Sequence, residues 1–436
     1  MKLAQDPSTP AEDGGADEAA VPRRRPWSRL LAASGSSLAR ALINRNYALF
    51  MAGAFVSATG SWAQSVAVGW LVLDLGNSTF LLGLTNFAQM MPLLLLGFPS
   101  GAIADSFDRR MLLLIAQVGT LATMAILAAA AALGFASIPL ILFLAVVGGL
   151  FNALGWPTWS VFIKDLVGPE HLRSAVAVNT ARFNLTRVVG PALAGALLAR
   201  YGVAVCLVVA AASSLGVVLA LLAIRLPPIE RFPPRAWLAA LQEGLTYAWG
   251  EPPVRELLLV TGAVGFLVLP YQAFLPAFAR DVLGSGPEGL GILLTAVGVG
   301  ALGGAALSGS QMASRSPRRL MAALATTTGL ALVGLAAARR LELAVAALAV
   351  VGLASIGYLA IANATLQLSV RDDLVGRTMG LWTVVNAGVT PVGSLALGAA
   401  SEYVGLTAAV AAAGTGCALL GLSLSRRTNG MDRSVL

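Results

Sequence analysis

A chain of 436 residues has the length of roughly three soluble domains. Its composition excludes that reading: 11% of the residues are charged, 57% are hydrophobic, and mean hydropathy is +0.79, whereas a soluble protein carries about 25% charge. Soluble enzymes, disordered proteins and disulfide scaffolds are excluded, and the chain belongs in lipid.

Residues 1–45 are rich in Asp, Glu, Ala, Pro and Ser before turning basic, and no long apolar run starts before Tyr47. They read as a disordered cytoplasmic tail without a secretory signal. A spanning helix needs about 20 apolar residues. Twelve such spans are expected, near 47–73, 78–104, 111–134, 138–163, 174–199, 201–224, 257–279, 289–312, 320–338, 343–368, 378–400 and 404–424. They are called spans 1 to 12 below. The fold class is therefore an all-α polytopic membrane protein with two six-helix halves, 46–224 and 257–424, and a short tail at 425–436. Span 5 is the unusual one, because Arg182 and Arg187 lie inside it.

An even number of spans puts both termini on one side. The tails and the loops after spans 2, 4, 6, 8 and 10 hold 23 of the 29 basic residues, including Arg109–Arg110 and Arg318–Arg319. The other side holds Arg200, Arg280, Arg339 and Arg340. The positive-inside rule makes the richer side cytoplasmic. The net charge of +8 thus reflects topology and contact with lipid headgroups, not nucleic acid. Cys206 and Cys417 read as packing residues, His171 as a loop residue, and neither a metal nor a cofactor is expected.

The linker 225–256 carries six prolines, and between them Trp237, Leu238, Leu241, Leu245 and Trp249 recur at helical spacing. That pattern fits an amphipathic helix lying on the membrane surface equally with a plain connector packed on the protein. The halves echo one another. Spans 2 and 8 open on Leu82–Gly83–Leu84 and Leu290–Gly291–Ile292, and spans 5 and 11 carry Pro191 and Pro391. Such a repeat fits the parallel arrangement of twelve-helix transporters, with chance similarity in an Ala/Gly/Leu-rich chain as the alternative.

The loop after span 2 reads Gly101-Ala-Ile-Ala-Asp105-Ser-Phe-Asp-Arg109-Arg110. It resembles the loop 2–3 signature of the major facilitator superfamily, departing from it at Ser106 and Asp108. Gly60-Ser-Trp-Ala-Gln64, Gly69-Trp70, Phe183-Asn184 with Arg187, and Gly190-Pro191-Ala-Leu-Ala-Gly195 resemble the branch that contains the enterobactin exporter. The resemblance covers about residues 45–425. It implies an interhelix charge cluster at the cytoplasmic rim built from Asp105, Arg109, Arg110 and Asp165, closing in the outward-facing state. Solvated charge that only sets topology is the plainer alternative.

Gly190, Pro191 and Gly195 resemble the span-5 motif of antiport members, though Ala177 and Thr186 replace its upstream glycines. Small residues admit a close neighbour and the proline bends the helix. Polar residues inside spans turn away from lipid. Trp62, Gln64, Asn86, Gln89, Asn152, Trp156, Asn363, Gln367 and Asn386, with Arg182 and Arg187, therefore outline a cavity for a bulky amphipathic ligand or, singly, interhelical hydrogen bonds. The two arginines are five residues apart and point about 140° away from each other, so at most one faces the cavity squarely.

Every acid can be placed outside the apolar centre, so a positive cavity favouring neutral or anionic amphiphiles follows, with any proton coupling carried by a rim acid such as Asp105, Asp165 or Asp74. No intramembrane acid–histidine cluster suits a hydrolase, and no Gly-x-x-x-x-Gly-Lys-Ser/Thr loop suits an ATP-driven pump. The expectation is a monomeric secondary active exporter in the bacterial inner membrane, with import, or a scaffold role on the same fold, as the alternatives.

Overall fold

The computed structural model describes residues 44–224, 237–311, 316–371 and 374–431. Side chains at 97–106, 169, 237–241, 309–311, 387 and 427–431 are outside that description, and so is the tail 1–43. Among the described residues the chain is helical, with no strand. Ten stretches are long and apolar enough to cross a membrane. One of them, Glu170–Ala223, holds two spans divided at Gly202, and the helix Arg45–Gly76 completes the twelve.

The helices overrun their apolar cores because polar residues cap them. Asn44 accepts from the amides of Asn46 and Tyr47 to start span 1, and Asp108 accepts from Met111 to start span 3. The loop expected between spans 4 and 5 is instead helical. One run, Ile138–Ala223, turns back on itself only at Gly168 (φ 70°) and Gly202 (φ 78°), where the positive φ needs a residue without a Cβ. His171 is therefore helical, not in a loop. Span 7 departs from a plain helix in the other direction. Pro252–Val268 gives way to a 3-10 turn at Leu269–Phe274 and a π turn at Phe278–Val282, with Pro270 and Pro276 in the break.

The two ends of the bundle differ. At the end where the basic loops fall, a separate buried cluster of Tyr47, Phe50, Leu113, Phe162, Leu166 and Leu221 belongs to spans 1 to 6 alone. Towards the opposite end the core runs continuously through both groups of six helices, from Val72 and Leu198 to Phe274, Leu293 and Leu397. Two seams join the groups there. On one, a Cβ built on Gly195 of span 5 would lie 2.6 Å from the Cα of Gly291 in span 8. On the other, a Cβ on Gly83 of span 2 would lie 2.3 Å from the carbonyl oxygen of Ser394 in span 11. Glycine is required at both, because backbone touches backbone.

Gly195→Val is expected to cost about 1–3 kcal/mol of this packing, enough to shift a two-state balance by roughly 5- to 150-fold. A lower midpoint of thermal unfolding, with faster maleimide labelling of a cysteine placed at Val188 behind the seam, checks it. Unchanged values for both would show that the seam is slack.

Candidate functional site

The basic end is tied together within each group of helices. Arg109 Nη1 donates to both oxygens of Asp165, at 3.1 and 3.0 Å, joining the start of span 3 to the end of span 4. The two side chains are only 14% and 11% exposed. Arg110 reaches the end of span 6, donating from Nε to the Leu221 carbonyl at 2.6 Å and from Nη2 to that of Leu222 at 3.1 Å. A cation there meets the negative end of the helix dipole. Two members of the expected cluster, Arg109 and Asp165, are thus paired, whereas Arg110 docks separately on span 6. The Asp105 side chain lies outside the described residues, and Asp108, which the sequence motif marked only as a departure, is the cap of span 3. In the second group, Arg318 pairs with Glu256 at the start of span 7.

The opposite end carries polar links that cross between the groups. Glu402, at the far end of span 11, accepts from the Ser78 hydroxyl and from the Phe80 amide at 3.0 Å. Ser78 immediately precedes the helix of span 2 and Phe80 is in its first turn, where unsatisfied amides and the helix dipole favour an anion. These hydrogen bonds hold the Glu402 carboxyl below its ordinary value. Ser401 donates to Thr79 at 3.0 Å and Ser394 to Asn86 Oδ1 at 3.1 Å. Arg280, following span 7, donates to Asn77 and lies 3.8 Å from Asp74. Asp74 behaves oppositely to Glu402: partial burial pushes its carboxyl up, and Arg280 draws it back down. The sequence offered Asp74 as one of three candidate proton-coupling acids and gave Glu402 no role of its own. The repeated Leu-Gly of spans 2 and 8 was the available signal for the seams beside them.

At mid-depth the two span-5 arginines separate as their spacing dictates. Arg182 turns into spans 1 and 4, where Nη1 donates to the Ala54 carbonyl at 3.0 Å, Nε and Nη2 reach Asn179 Oδ1, and the guanidinium sits 5.6 Å from the Trp159 ring centroid. Arg187 sits on the span 5–span 8 seam. Its backbone carbonyl lies 2.5 Å from where a Cβ on Gly298 would be, and its charge is felt by the Tyr271 phenol at the break in span 7. Among the described residues no carboxylate pairs with it.

The remaining expected residues are dispersed. The Trp62 indole packs on Gly190, and Gln64 and Gln89 are half-buried. Asn152 and Trp156, the latter 59% exposed, share an open face of span 4. Asn363 Oδ1 accepts from Gln367 at 2.7 Å, and Asn386 leans on its own helix at the Trp382 carbonyl. Pro191 lends its carbonyl oxygen to the close approach of Gly291, beside Gly195. No group of three or more metal-ligating side chains occurs among the described residues.

Twelve membrane-crossing helices in two repeats, packed through small residues at two seams, define a multi-pass transporter of the major facilitator type. Residues 36–429 match the family model described as transmembrane secretion effector, and the chain belongs to that family. It is 30% identical over 389 residues to the enterobactin exporter EntS of Shigella boydii serotype 4, covering 86% of this chain and 90% of that one. It is 27% identical over 385 residues to the multidrug efflux pump Tap of Mycolicibacterium fortuitum, covering 86% and 93%. A stretch of 154 residues is 32% identical to the staphyloferrin A transporter of Staphylococcus aureus, 35% of this chain and 38% of that one. Among solved structures, the nucleoside transporter NupG superposes with a TM-score of 0.72 at 11% identity, over 87% of this chain and 98% of that one. A bacterial homologue of the human lysosomal transporter Spinster, solved inward-facing and unoccupied, gives 0.69 at 16% identity, over 89% and 97%. These relatives are transporters, not enzymes.

Two outcomes follow from the rim geometry. Asp165→Asn removes the carboxylate that accepts both contacts from Arg109 Nη1, at a cost of about 1.5–3 kcal/mol. It is expected to abolish transport in protein that still inserts, and the exchange Arg109→Asp with Asp165→Arg is expected to restore part of it, as flux into vesicles reports. At the other end, acid should neutralise Asp74 before Glu402. The elevated Asp74 takes its proton first as pH falls, while the depressed Glu402 stays ionised below the ordinary carboxylate range. Asp74→Asn should therefore remove the pH dependence of labelling behind the seam, whereas Glu402→Gln should raise that labelling wherever the native carboxylate is ionised.

Proposed function

We propose that the protein is a secondary active exporter of the bacterial inner membrane, moving a neutral or anionic amphipathic small molecule by alternating access between its two six-helix halves. The basic end faces the cytoplasm, as do both termini, by the distribution of Lys and Arg. The opposite end is the one sealed by the glycine seams, the Glu402 cap and the Arg280 links, so the arrangement described corresponds to a form closed to the outside.

The observation that carries the substrate class is Arg187. It is a cation at mid-depth on the boundary of the halves, close enough to the irregular turn of span 7 to interact with the Tyr271 phenol, and no carboxylate pairs with it among the described residues. A charge in such a place is costly unless it is hydrated or meets a counter-ion. An anionic or catechol-bearing substrate supplies that partner, whereas a lipophilic cation is repelled. Export, rather than import, is supported by the enterobactin exporter and the multidrug efflux pump among the relatives. Proton coupling is assigned to Asp74. Protonation would release Arg280 and loosen the outer end, and the outer side is where a proton gradient is most acidic.

Efflux from inverted vesicles tests the reading. Arg187→Ala is expected to lower transport of an anionic catecholate amphiphile by about tenfold or more, because the arginine–anion contact is worth about 1.5–3 kcal/mol. Arg187→Lys should retain part of it, keeping the charge but not the fork. Equal transport of a permanent lipophilic cation by the unaltered protein would contradict the assignment.

A further inference from the structure

A crevice of about 480 Å³ lies between the linker helix Trp237–Gly250, span 7 and span 11, away from both seams. Its walls are apolar, built chiefly from Leu258, Leu259, Gly262 and Phe266 of span 7 with Val385 and Val389 of span 11. Arg255 is the one charged residue in its lining, and Trp249 of the linker helix stands beside it, 61% exposed. Arg255 Nη1 donates to the Trp249 carbonyl at 3.2 Å, while Nε and Nη2 have no hydrogen-bond partner among the described residues. The guanidinium is thus held in place with most of its donors free.

The order of these groups along the helix matters. Span 7 begins at Pro252 at the basic end, so Arg255 and Trp249 sit at headgroup level, where Trp and Arg are favoured. From Arg255 to Leu267, the deepest lining residue on span 7, the helix rises about 18 Å. That is close to half of the ~30 Å hydrocarbon core. A cation at the interface above an apolar groove one leaflet deep matches a lipid in both charge and length. A soluble anion meets the charge but leaves the groove empty, and an apolar chain alone leaves the guanidinium unmet.

We infer that this crevice binds an anionic glycerophospholipid, its phosphate on Arg255 and one acyl chain along span 7. The bound lipid bridges the linker helix to spans 7 and 11, beside the Arg377–Glu243 pair that already joins that helix to span 11. The inference rests on the membrane placement of the fold and not on the direction of transport or the substrate.

Native mass spectrometry of the detergent-purified full-length protein tests it, with phosphatidylglycerol, phosphatidylcholine of the same chains, and glycerol 1-phosphate as probes. Phosphatidylglycerol should bind about fivefold more tightly than phosphatidylcholine, the worth of one arginine near an anionic headgroup, and glycerol 1-phosphate should give no adduct. Arg255→Gln should erase that preference, and Leu259→Trp, which fills the groove from an exposed position, should reduce adducts of both lipids. Arg173→Gln, an exposed basic residue at the same end, should leave the preference intact. Equal binding of the two lipids, no adduct with either, or the same loss in Arg173→Gln as in Arg255→Gln would overturn the site.

Discussion

In lipid no hydrophobic effect drives one helix onto another, so two bundles stay together only where backbones come close and polar groups find partners. Gly195 against Gly291 and Gly83 against Ser394 meet that requirement on the two sides of the molecule, and the rest of the architecture is arranged around them. Each seam uses the start of the second helix of one half and the far part of the fifth helix of the other. Both therefore fall at the same end of the bundle. The continuous core spanning both halves towards that end, and the separate cluster at the basic end of spans 1 to 6, follow from this placement. Contacts of this kind add many small dispersion terms and vanish together when the helices part.

The charges divide by the same logic. At the basic end Arg109–Asp165, Arg110 on the span-6 carbonyls and Arg318–Glu256 each stay within one half and tie its helices together. At the opposite end Glu402 and Arg280 reach across, so their hydrogen bonds depend on how the halves sit. Exposed ion pairs contribute little on their own. A carboxylate capping the first turn of a helix is stronger, because it satisfies amides that have no intrahelical partner. Glu402 thus links span 11 to the start of span 2, while Arg187 lies in the middle on the span 5–span 8 boundary.

Much of this was legible in the sequence. The twelve spans follow from charge-free runs, the repeat from Leu-Gly in spans 2 and 8 and proline in spans 5 and 11, and the divergence of Arg182 from Arg187 from five residues at 100° each. Other features were not legible, for physical reasons. Gly168 and Gly202 turn the chain without a loop, and a glycine needed for positive φ looks the same in sequence as one that packs against a neighbour. The irregular turns of span 7 come from Pro270 and Pro276, yet prolines in lipid do not by themselves announce where a helix breaks. Glu402 gave no sign of its role because its partners, Ser78 and Phe80, lie more than three hundred residues away at the start of another helix. A carboxylate at a helix end reads as a topology marker until the opposing helix terminus is known.

The central claim is that the halves move as bodies, with the seam end closing as the basic end opens. Paired spin labels in lipid vesicles measure it directly, with one pair at Tyr201 and Leu343 on the seam end and another at Phe107 and Leu368 on the basic end, all exposed positions. On acidifying the seam side, the account predicts that the first distance lengthens as the second shortens, with both distributions shifting between the same two populations. Distances that change independently, or a first pair that stays fixed while the protein transports, would contradict it.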